Sequence, residues 1–260
     1  MIGVFDSGIG GLTVLKALAL AFPRESFIYL GDTARLPYGS KSPQTIRNYS
    51  EQIMNFLIGH QVKAVVIACN SASSQVSENF YQSIPVYNVI FPGAKAALTA
   101  SSSKKIGVLG TRATIQSQSY EKALQILEPC EVFSQACPLF VPLAEEGWIE
   151  DPVTNLIAFR YCQSLLSHQV DTVILGCTHY PLLKSSLRRV FGSQVALVDS
   201  GDALVDILTE DFNSGKLQKN TQEPRKVEIL VTDFSSHFVS LAQQILLPLE
   251  PDSFAVTDLK

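Results

Sequence analysis

Val65-Val66-Ile67-Ala68-Cys69-Asn70 returns, 108 residues further on, as Val173-Ile174-Leu175-Gly176-Cys177-Thr178. Each copy is an apolar run that ends in a cysteine and a small polar residue. A second pair has nearly the same spacing: Ile2-Gly3-Val4-Phe5-Asp6-Ser7 is matched 104 residues later by Ile106-Gly107-Val108-Leu109-Gly110-Thr111. Two pairs at almost one offset predict two similar units laid end to end. Runs that are apolar on both faces are what a parallel sheet covered on both sides requires. Others are Phe27–Leu30, Val86–Val89, Val132–Cys137, Val195–Val198 and Val227–Val231. Helical patterns lie between the runs, at Gly11–Ala21, Ser42–His60, Tyr120–Leu127, Pro152–His168 and Leu182–Phe191. The alternation predicts an α/β fold of two pseudo-symmetric, doubly wound (flavodoxin-like) domains, with the active site in the cleft at the carboxyl ends of the strands.

The polar stretch Ala100-Ser101-Ser102-Ser103-Lys104-Lys105 separates the two units. A second, Asn213–Lys226, precedes one last strand and a helix through Leu246, a pair that must join one unit or bridge both. Hydrophobic residues make up 46% of the 260 and charged ones 17%, a balance that excludes disorder over most of the chain. With 20 Lys and Arg against 24 Asp and Glu, the net charge of −4 argues against nucleic acid as a partner. No stretch approaches the roughly 18 unbroken apolar residues of a membrane-spanning helix, and no membrane association is expected. The first cation is Lys16, so the basic flank of a signal peptide is missing. Five cysteines without CxxC spacing read as neither a disulfide framework nor a zinc finger. The expectation is a cytoplasmic protein with reduced thiols.

Cys69 and Cys177 carry the candidate chemistry. Each ends an apolar strand ahead of small polar residues, Asn70-Ser71 in one case and Thr178-His179 in the other. A cysteine there meets the N-terminus of the following helix, whose N–H groups stabilise thiolate and lower a pKa of about 8.5. Two thiols placed alike in facing domains approach one cleft from opposite sides. One takes a proton from a carbon while the other delivers one to the opposite face, which inverts the stereocentre. Cysteine is also a small hydrophobe, and that reading fits Cys130, Cys137 and Cys162.

His179 is expected to support a thiolate or donate to a substrate carboxylate, or else to pack at a helix start. Asp6 reads as a partner for a substrate ammonium, an assistant to Cys69 or a helix cap. Gly8-Ile9-Gly10-Gly11 opens a helix, but Thr13 stands where a dinucleotide fingerprint needs its third glycine. Those glycines instead predict close approach of a small anion to a helix N-terminus. Leu36-Pro37-Tyr38-Gly39-Ser40 reads as a rigid loop on the cleft rim, where Tyr38 or Ser40 binds a carboxylate unless Pro and Gly only build a turn. Glu145 orients His179 or is a solvated helix residue. No metal is expected: a zinc-binding protein using Cys69, Cys177 and His179 would lack a fourth ligand.

Four blocks together, Val4-Phe5-Asp6-Ser7-Gly8-Ile9-Gly10-Gly11-Leu12, Gly31-Asp32-Thr33-Ala34-Arg35-Leu36-Pro37-Tyr38-Gly39, Ala68-Cys69-Asn70-Ser71-Ala72-Ser73 and Leu175-Gly176-Cys177-Thr178-His179-Tyr180-Pro181-Leu182-Leu183, resemble the aspartate/glutamate racemase family, and within it the glutamate racemases. The resemblance spans nearly the whole chain. It implies two α/β domains, residues 1–99 with 210–260 and residues 100–209, the last segment returning to the first domain. It implies a cofactor-independent isomerase that interconverts L- and D-glutamate, a small-molecule substrate, and supplies D-glutamate for bacterial peptidoglycan and so for cell wall and cell shape. A homodimer is the implied assembly. Carried over residue by residue, Cys69 and Cys177 are the proton donor/acceptors, one for each enantiomer, and Asp6, His179 and Glu145 assist them. Asp6, Ser7, Tyr38, Gly39, Asn70, Ser71, Thr178 and His179 are the implied binding set, to which the loop reading adds Pro37 and Ser40. Ser71 stands where the family usually has threonine, which keeps the hydroxyl and loses a methyl. No lysine in these motifs points to a pyridoxal cofactor, so the developing carbanion must rely on short donors such as Ser7, Asn70, Ser71 and Thr178. An aspartate or hydantoin racemase with the same paired cysteines is the nearest alternative.

Overall fold

The computed structural model describes residues 1–220 and 225–259, so residues 221–224 of the polar stretch Asn213–Lys226 lie outside the described residues. The strands are β1 (Ile2–Asp6), β2 (Phe27–Gly31), β3 (Ala64–Ile67), β4 (Phe80–Tyr81), β5 (Ile84–Asn88), β6 (Lys105–Gly110), β7 (Glu131–Ala136), β8 (Thr172–Gly176), β9 (Ala196–Val198), β10 (Val227–Val231) and β11 (Ser253–Val256). Among the described residues they form two sheets, ordered β11-β10-β2-β1-β3-β5-β4 and β7-β6-β8-β9. Every pairing is parallel except that of β4 with β5. The strands β1, β2, β3 and β8 are buried along their whole length, as their unbroken apolar runs require.

The blocks β2-β1-β3-β5 and β7-β6-β8-β9 are one doubly wound arrangement used twice. Register repeats with order: Ile2 pairs with Ala64, and Ile106 pairs with Thr172. The two sequence offsets, 104 and 108, are therefore one structural repeat. It extends further than the strands. His60-Gln61-Val62 and His168-Gln169-Val170 each lead from a helix into the strand that ends in a cysteine. Each histidine places Nδ1 near the carbonyl four residues back, at 2.9 Å from Phe56 O and 2.7 Å from Ser164 O. Each following glutamine is left-handed, with φ of 57° and 55°, which turns the chain out of the helix.

The helices are α1 (Leu12–Ala21), α2 (Pro43–Gly59), α3 (Asn70–Ser73), α4 (Ile90–Ala100), α5 (Arg112–Ser117), α6 (Ser119–Leu127), α7 (Phe140–Glu145), α8 (Pro152–Ser167), α9 (Lys184–Phe191), α10 (Ser200–Ser214) and α11 (Ser236–Leu246). Local chemistry starts several of them. Ser42 and Asp151 cap α2 and α8, each ahead of a proline whose missing N–H costs nothing in the first turn. Helices α4, α5, α7 and α10 and strands β4 and β11 are absent from the sequence pattern above. Pro92 and Gly93 in the first turn of α4 read as breakers, although neither interrupts the ladder there. Strand β5 is Ile84–Asn88 rather than Val86–Val89, because Val89 already enters α4.

One apolar cluster runs unbroken between the two sheets. Leu15 and Leu18 of α1, Ala97 and Leu98 of α4, and Leu204 and Leu208 of α10 belong to it with Tyr120 and Leu124 of α6 and Ile174 of β8. Helix α10 runs without a break through residues 209 and 210, where the family resemblance places a boundary. The connection between the units, Ser101-Ser102-Ser103, is clasped by a single carboxylate. Asp171 accepts hydrogen bonds from Ser101 Oγ at 2.6 Å and from the N–H groups of Ser102 and Ser103 at 2.8 and 2.6 Å. Burial raises its pKa, but these bonds outweigh burial and hold it down at about 2. A depressed carboxylate contributes stability that is complete above its unfolded value near about 3.9 and is lost as pH falls toward the folded value. Asp171→Ala is therefore expected to cost of order 1–2 kcal/mol near neutral pH. That cost shrinks as pH falls below about 4, and denaturant titrations at neutral and acid pH read the difference. An equal cost at both would remove the clasp from the account.

Candidate active site

The loops after β1, β3, β6 and β8 meet in one cavity of about 170 Å³ between the two sheets. An enclosed space of about 150 Å³ takes a benzene-sized molecule, so this one suits a small ligand rather than a polymer. Ser7, Gly8, Leu36 through Ser40 and Cys69 through Ser71 line it from the first unit. Thr111, Arg112, Pro138, Val141, Pro142, Glu145 and Cys177 through His179 line it from the second. All the residues read above as catalytic or substrate-binding are brought to this wall except Asp6, while of the glycines ahead of α1 only Gly8 reaches it. Among the described residues, no group of three or more His, Cys, Asp or Glu side chains is placed to hold a metal ion. Nor is any helix among them long and apolar enough to cross a membrane.

Cys69 and Cys177 occupy equivalent places, just past β3 and β8, and both are nearly buried. The Cys69 thiol donates to Ser7 Oγ at 3.8 Å. The expected lowering of its pKa does not occur. Burial pushes the Cys69 thiol well up and the nearby Asp6 charge adds to this, against smaller opposing effects of the Ala72 N–H and of Ser7. The physical reason is the length of the helix that follows: α3 is a single turn, with little dipole to set against the loss of water. After Cys177 the chain forms only a 3₁₀ turn, Tyr180–Leu183.

His179 joins Cys177 to Glu145. Its Nδ1 lies 3.8 Å from the Cys177 sulfur and its Nε2 3.0 Å from Glu145 Oε1. Burial disfavours the imidazolium, but the hydrogen bonds to Cys177 and Glu145 outweigh it and carry the ring up to about 10. A ring protonated at both nitrogens donates to the sulfur on one side and to the carboxylate on the other. A raised pKa contributes stability that is complete below the unfolded value of about 6.5 and is lost as pH rises through the folded one. Relative to His179→Gln, the wild-type protein is therefore expected to lose unfolding free energy as pH rises through about 10. A wild-type-minus-variant difference that stays flat over that range would contradict a charged His179.

Asp6 lies beneath the cavity wall, fully buried. Its Oδ2 accepts the Gly8 N–H at 2.9 Å and its Oδ1 accepts the Thr178 hydroxyl at 3.2 Å. Of the readings given to Asp6, that of direct partner to a substrate ammonium is not what its position provides. Of the glycines that follow, Gly8 lines the cavity, whereas Gly10 is closed off from it. A Cβ on Gly10 would stand 2.4 Å from Thr178 Oγ1 and 2.5 Å from His179 Nδ1. Thr13 completes the junction by donating to the Thr178 carbonyl at 3.0 Å. Gly10, ahead of α1, thus admits the other unit's loop.

Tyr38 is also turned away from its expected use. Its hydroxyl donates to the buried carboxylate of Asp32, which also accepts Arg35 Nε at 2.7 Å and Thr232 Oγ1 at 3.0 Å. Leu36, Pro37, Gly39 and Ser40 of the same loop also line the cavity. Gly39 presses so closely on Thr111 that a Cβ there would lie 2.7 Å from Thr111 Cβ. The Thr111 and Ser71 hydroxyls are 2.9 Å apart, one from each unit. Thr111, Arg112, Pro138, Val141 and Pro142 were missed as wall residues. For Thr111 a signal existed, since it is the repeat equivalent of Ser7, 104 residues on.

The sequence profile described as Asp/Glu/Hydantoin racemase matches residues 2–208. A glutamate racemase of Geobacter metallireducens is 46% identical over 248 residues, covering 94% of this chain and 92% of that protein. Among solved structures, glutamate racemase isoform RacE1 from Bacillus anthracis superimposes with a TM-score of 0.94 at 35% identity, covering 100% of this chain and 97% of the other. Glutamate racemase from Francisella tularensis in complex with D-glutamate gives 0.91 at 36% identity, covering 99% and 97%.

Proposed function

The chain belongs to the Asp/Glu/Hydantoin racemase family, and from that premise we propose that it is a glutamate racemase, an isomerase that interconverts L- and D-glutamate with two cysteines as acid and base. The observation that carries the reading is the pair itself: Cys69 and Cys177, at equivalent strand ends of a repeated fold, enter one small cavity from the two units. Relatives along nearly the whole chain are glutamate racemases, which decides the substrate in favour of glutamate over aspartate or a hydantoin.

The reaction needs a thiolate on one face of the α-carbon and a thiol on the other. The starting state we assign has Cys69 as thiol, held so by burial, and the Cys177 sulfur as acceptor of the His179 proton. Cys177 takes the α-proton with the C–H electron pair left on carbon, and Cys69 gives its proton to the opposite face. The product leaves with Cys177 protonated and Cys69 as thiolate, the state that receives the mirror-image substrate. An amino-acid α-proton is a very weak acid, so the carbanion must be stabilised where it forms. Ser7, Asn70, Ser71 and Thr111 place donors around a small cavity whose two cysteines are buried, where each hydrogen bond counts for more than it does in solution. Glu145 keeps His179 charged and oriented, and Asp6 supports the Thr178 hydroxyl from behind. The reading requires no cofactor, since one sulfur takes the α-proton and the other supplies its replacement.

Its product serves bacterial peptidoglycan, in the cytoplasm, and we assign a homodimer as its assembly, with residues 1–99 and 210–260 as one domain and 100–209 as the other. Light scattering of the purified protein tests the dimer. The activity is tested by proton NMR of L-glutamate in deuterated buffer with protein and no additive. Loss of the α-proton signal, with D-glutamate appearing on a chiral column, is the expected result. A persistent signal from folded, reduced protein would remove glutamate as the substrate.

A further inference from the structure

Tyr120, on α6 of the second unit, touches the chain beside both cysteines. Its ring sits in a slot between two glycines. A Cβ on Gly93 would lie 3.2 Å from the ring and a Cβ on Gly176 3.1 Å from it, and Gly176 directly precedes Cys177. Its hydroxyl donates to Asn70 Oδ1 at 2.6 Å, and Asn70 directly follows Cys69. We propose that Tyr120 is a positioning residue that sets the separation of the two catalytic thiols, its ring bracing the backbone before Cys177 while its hydroxyl holds the residue after Cys69.

The argument is geometric. Cys69 and Cys177 end strands of different sheets, so no ladder hydrogen bond relates one to the other. Their separation depends on what stands between the two strand ends. Tyr120 is 1% exposed and Asn70 likewise, so neither has room to drift. Ser200 Oγ, at the start of α10, lies 3.3 Å from Asn70 Nδ2 and 3.4 Å from Asn70 Oδ1 and closes the group. Burial keeps the phenol protonated and therefore a donor. With Oδ1 occupied by Tyr120, Asn70 is left to offer the cavity an N–H. A two-base transfer is demanding in this respect: both sulfurs must be within reach of the same carbon, and an error of about 1 Å in a reacting group costs up to about a hundredfold. A shallower ring, or a slot lined by alanines, would change that spacing without touching either thiol.

The inference rests on the two-thiol reading of the function, and the experiment separates the two. Tyr120→Phe keeps the ring in its slot and removes only the tether to Asn70. The expected result is a fall in kcat of between about tenfold and a hundredfold, larger than any change in KM. The deuterium isotope effect with α-deuterated glutamate should rise as proton transfer becomes slower relative to binding. Ser200→Ala, which loosens the same group from its far side, should show a smaller fall of the same kind and serves if Tyr120→Phe does not fold. A kcat per folded molecule within about twofold of wild type in the folded variants, or a loss confined to KM or to thermal stability, would overturn the proposal. Cys69→Ala measured alongside distinguishes the premises: if it is dead while Tyr120→Phe is fully active, only the positioning role fails, and if it is active the two-thiol reading itself fails.

Discussion

Cys69→Ala and Cys177→Ala are each expected to abolish racemisation while leaving the protein folded. Removing one thiol leaves nothing on that face of the α-carbon to take or give a proton. General acid–base catalysis by one positioned group is worth about 10²–10⁴-fold. Losing either member of a pair that acts as a unit costs nearly as much as losing both. The expected fall in kcat/KM is therefore at least about 10³-fold in each variant, and the double variant adds little. The two enantiomers have equal free energy in water, so kcat/KM must fall equally from either side, which makes a one-sided loss a sign of an assay fault. Folding is a small matter here, since both sulfurs sit at a cavity wall and their removal enlarges an existing space. Circular dichroism and a chiral assay read both halves of the prediction. A rate within about tenfold of wild type in either variant would end the two-base scheme.

Gly10→Ala has the next largest expected effect. The added methyl would sit 2.4 Å from Thr178 Oγ1 and 2.5 Å from His179 Nδ1, closer than packed atoms come, so one side must move. Helix α1 cannot retreat easily, because Leu12, Leu15 and Leu18 anchor it in the cluster shared by both sheets. The Thr178–His179 loop must then yield, drawing the imidazole away from Cys177 and Glu145. A displacement of about 1 Å there is expected to lower kcat about a hundredfold, with a stability cost of about 1–3 kcal/mol. Gly59→Ala is the control, since a Cβ there meets nothing within 4 Å. It lies in the last turn of α2 and should be neutral or stabilising by about 0.4–1 kcal/mol, with the rate unchanged. A fully active Gly10→Ala would mean that the junction between α1 and His179 does not position the imidazole.

The strands and the site cysteines were legible because their signals are local. An apolar run such as Val65-Val66-Ile67 says by itself that both faces of its strand are covered, and a repeat says that whatever one copy does the other can do. Helices α4 and α10 were less legible. The first carries Pro92 and Gly93 in its opening turn, and the second packs between the units, where its apolar face is chosen by partners far away in the chain. The site shows the same division. Ser7, Asn70, Ser71, Thr178 and both cysteines follow strand ends, and all reach the cavity. The roles suggested for Asp6, Tyr38 and the glycines before α1 depended on which way a side chain turns. Asp6 turns to Gly8 and Thr178, Tyr38 to Asp32, and Gly10 receives the opposite loop.

The sequence by itself determined the α/β class, the doubling of the unit, and the placing of a cysteine at the same strand end in each copy. Hydrophobic periodicity and repetition are properties of short stretches and survive without knowledge of their neighbours. Tertiary structure alone decided the electrostatic character of those cysteines and the company they keep. Cys69 is raised rather than lowered because burial and Asp6 outweigh one turn of helix. His179 is held charged against its burial by Cys177 at one ring nitrogen and by Glu145, 34 positions earlier in the chain, at the other. Desolvation and Coulomb interactions act through space, between segments that only folding brings within a few ångströms of each other.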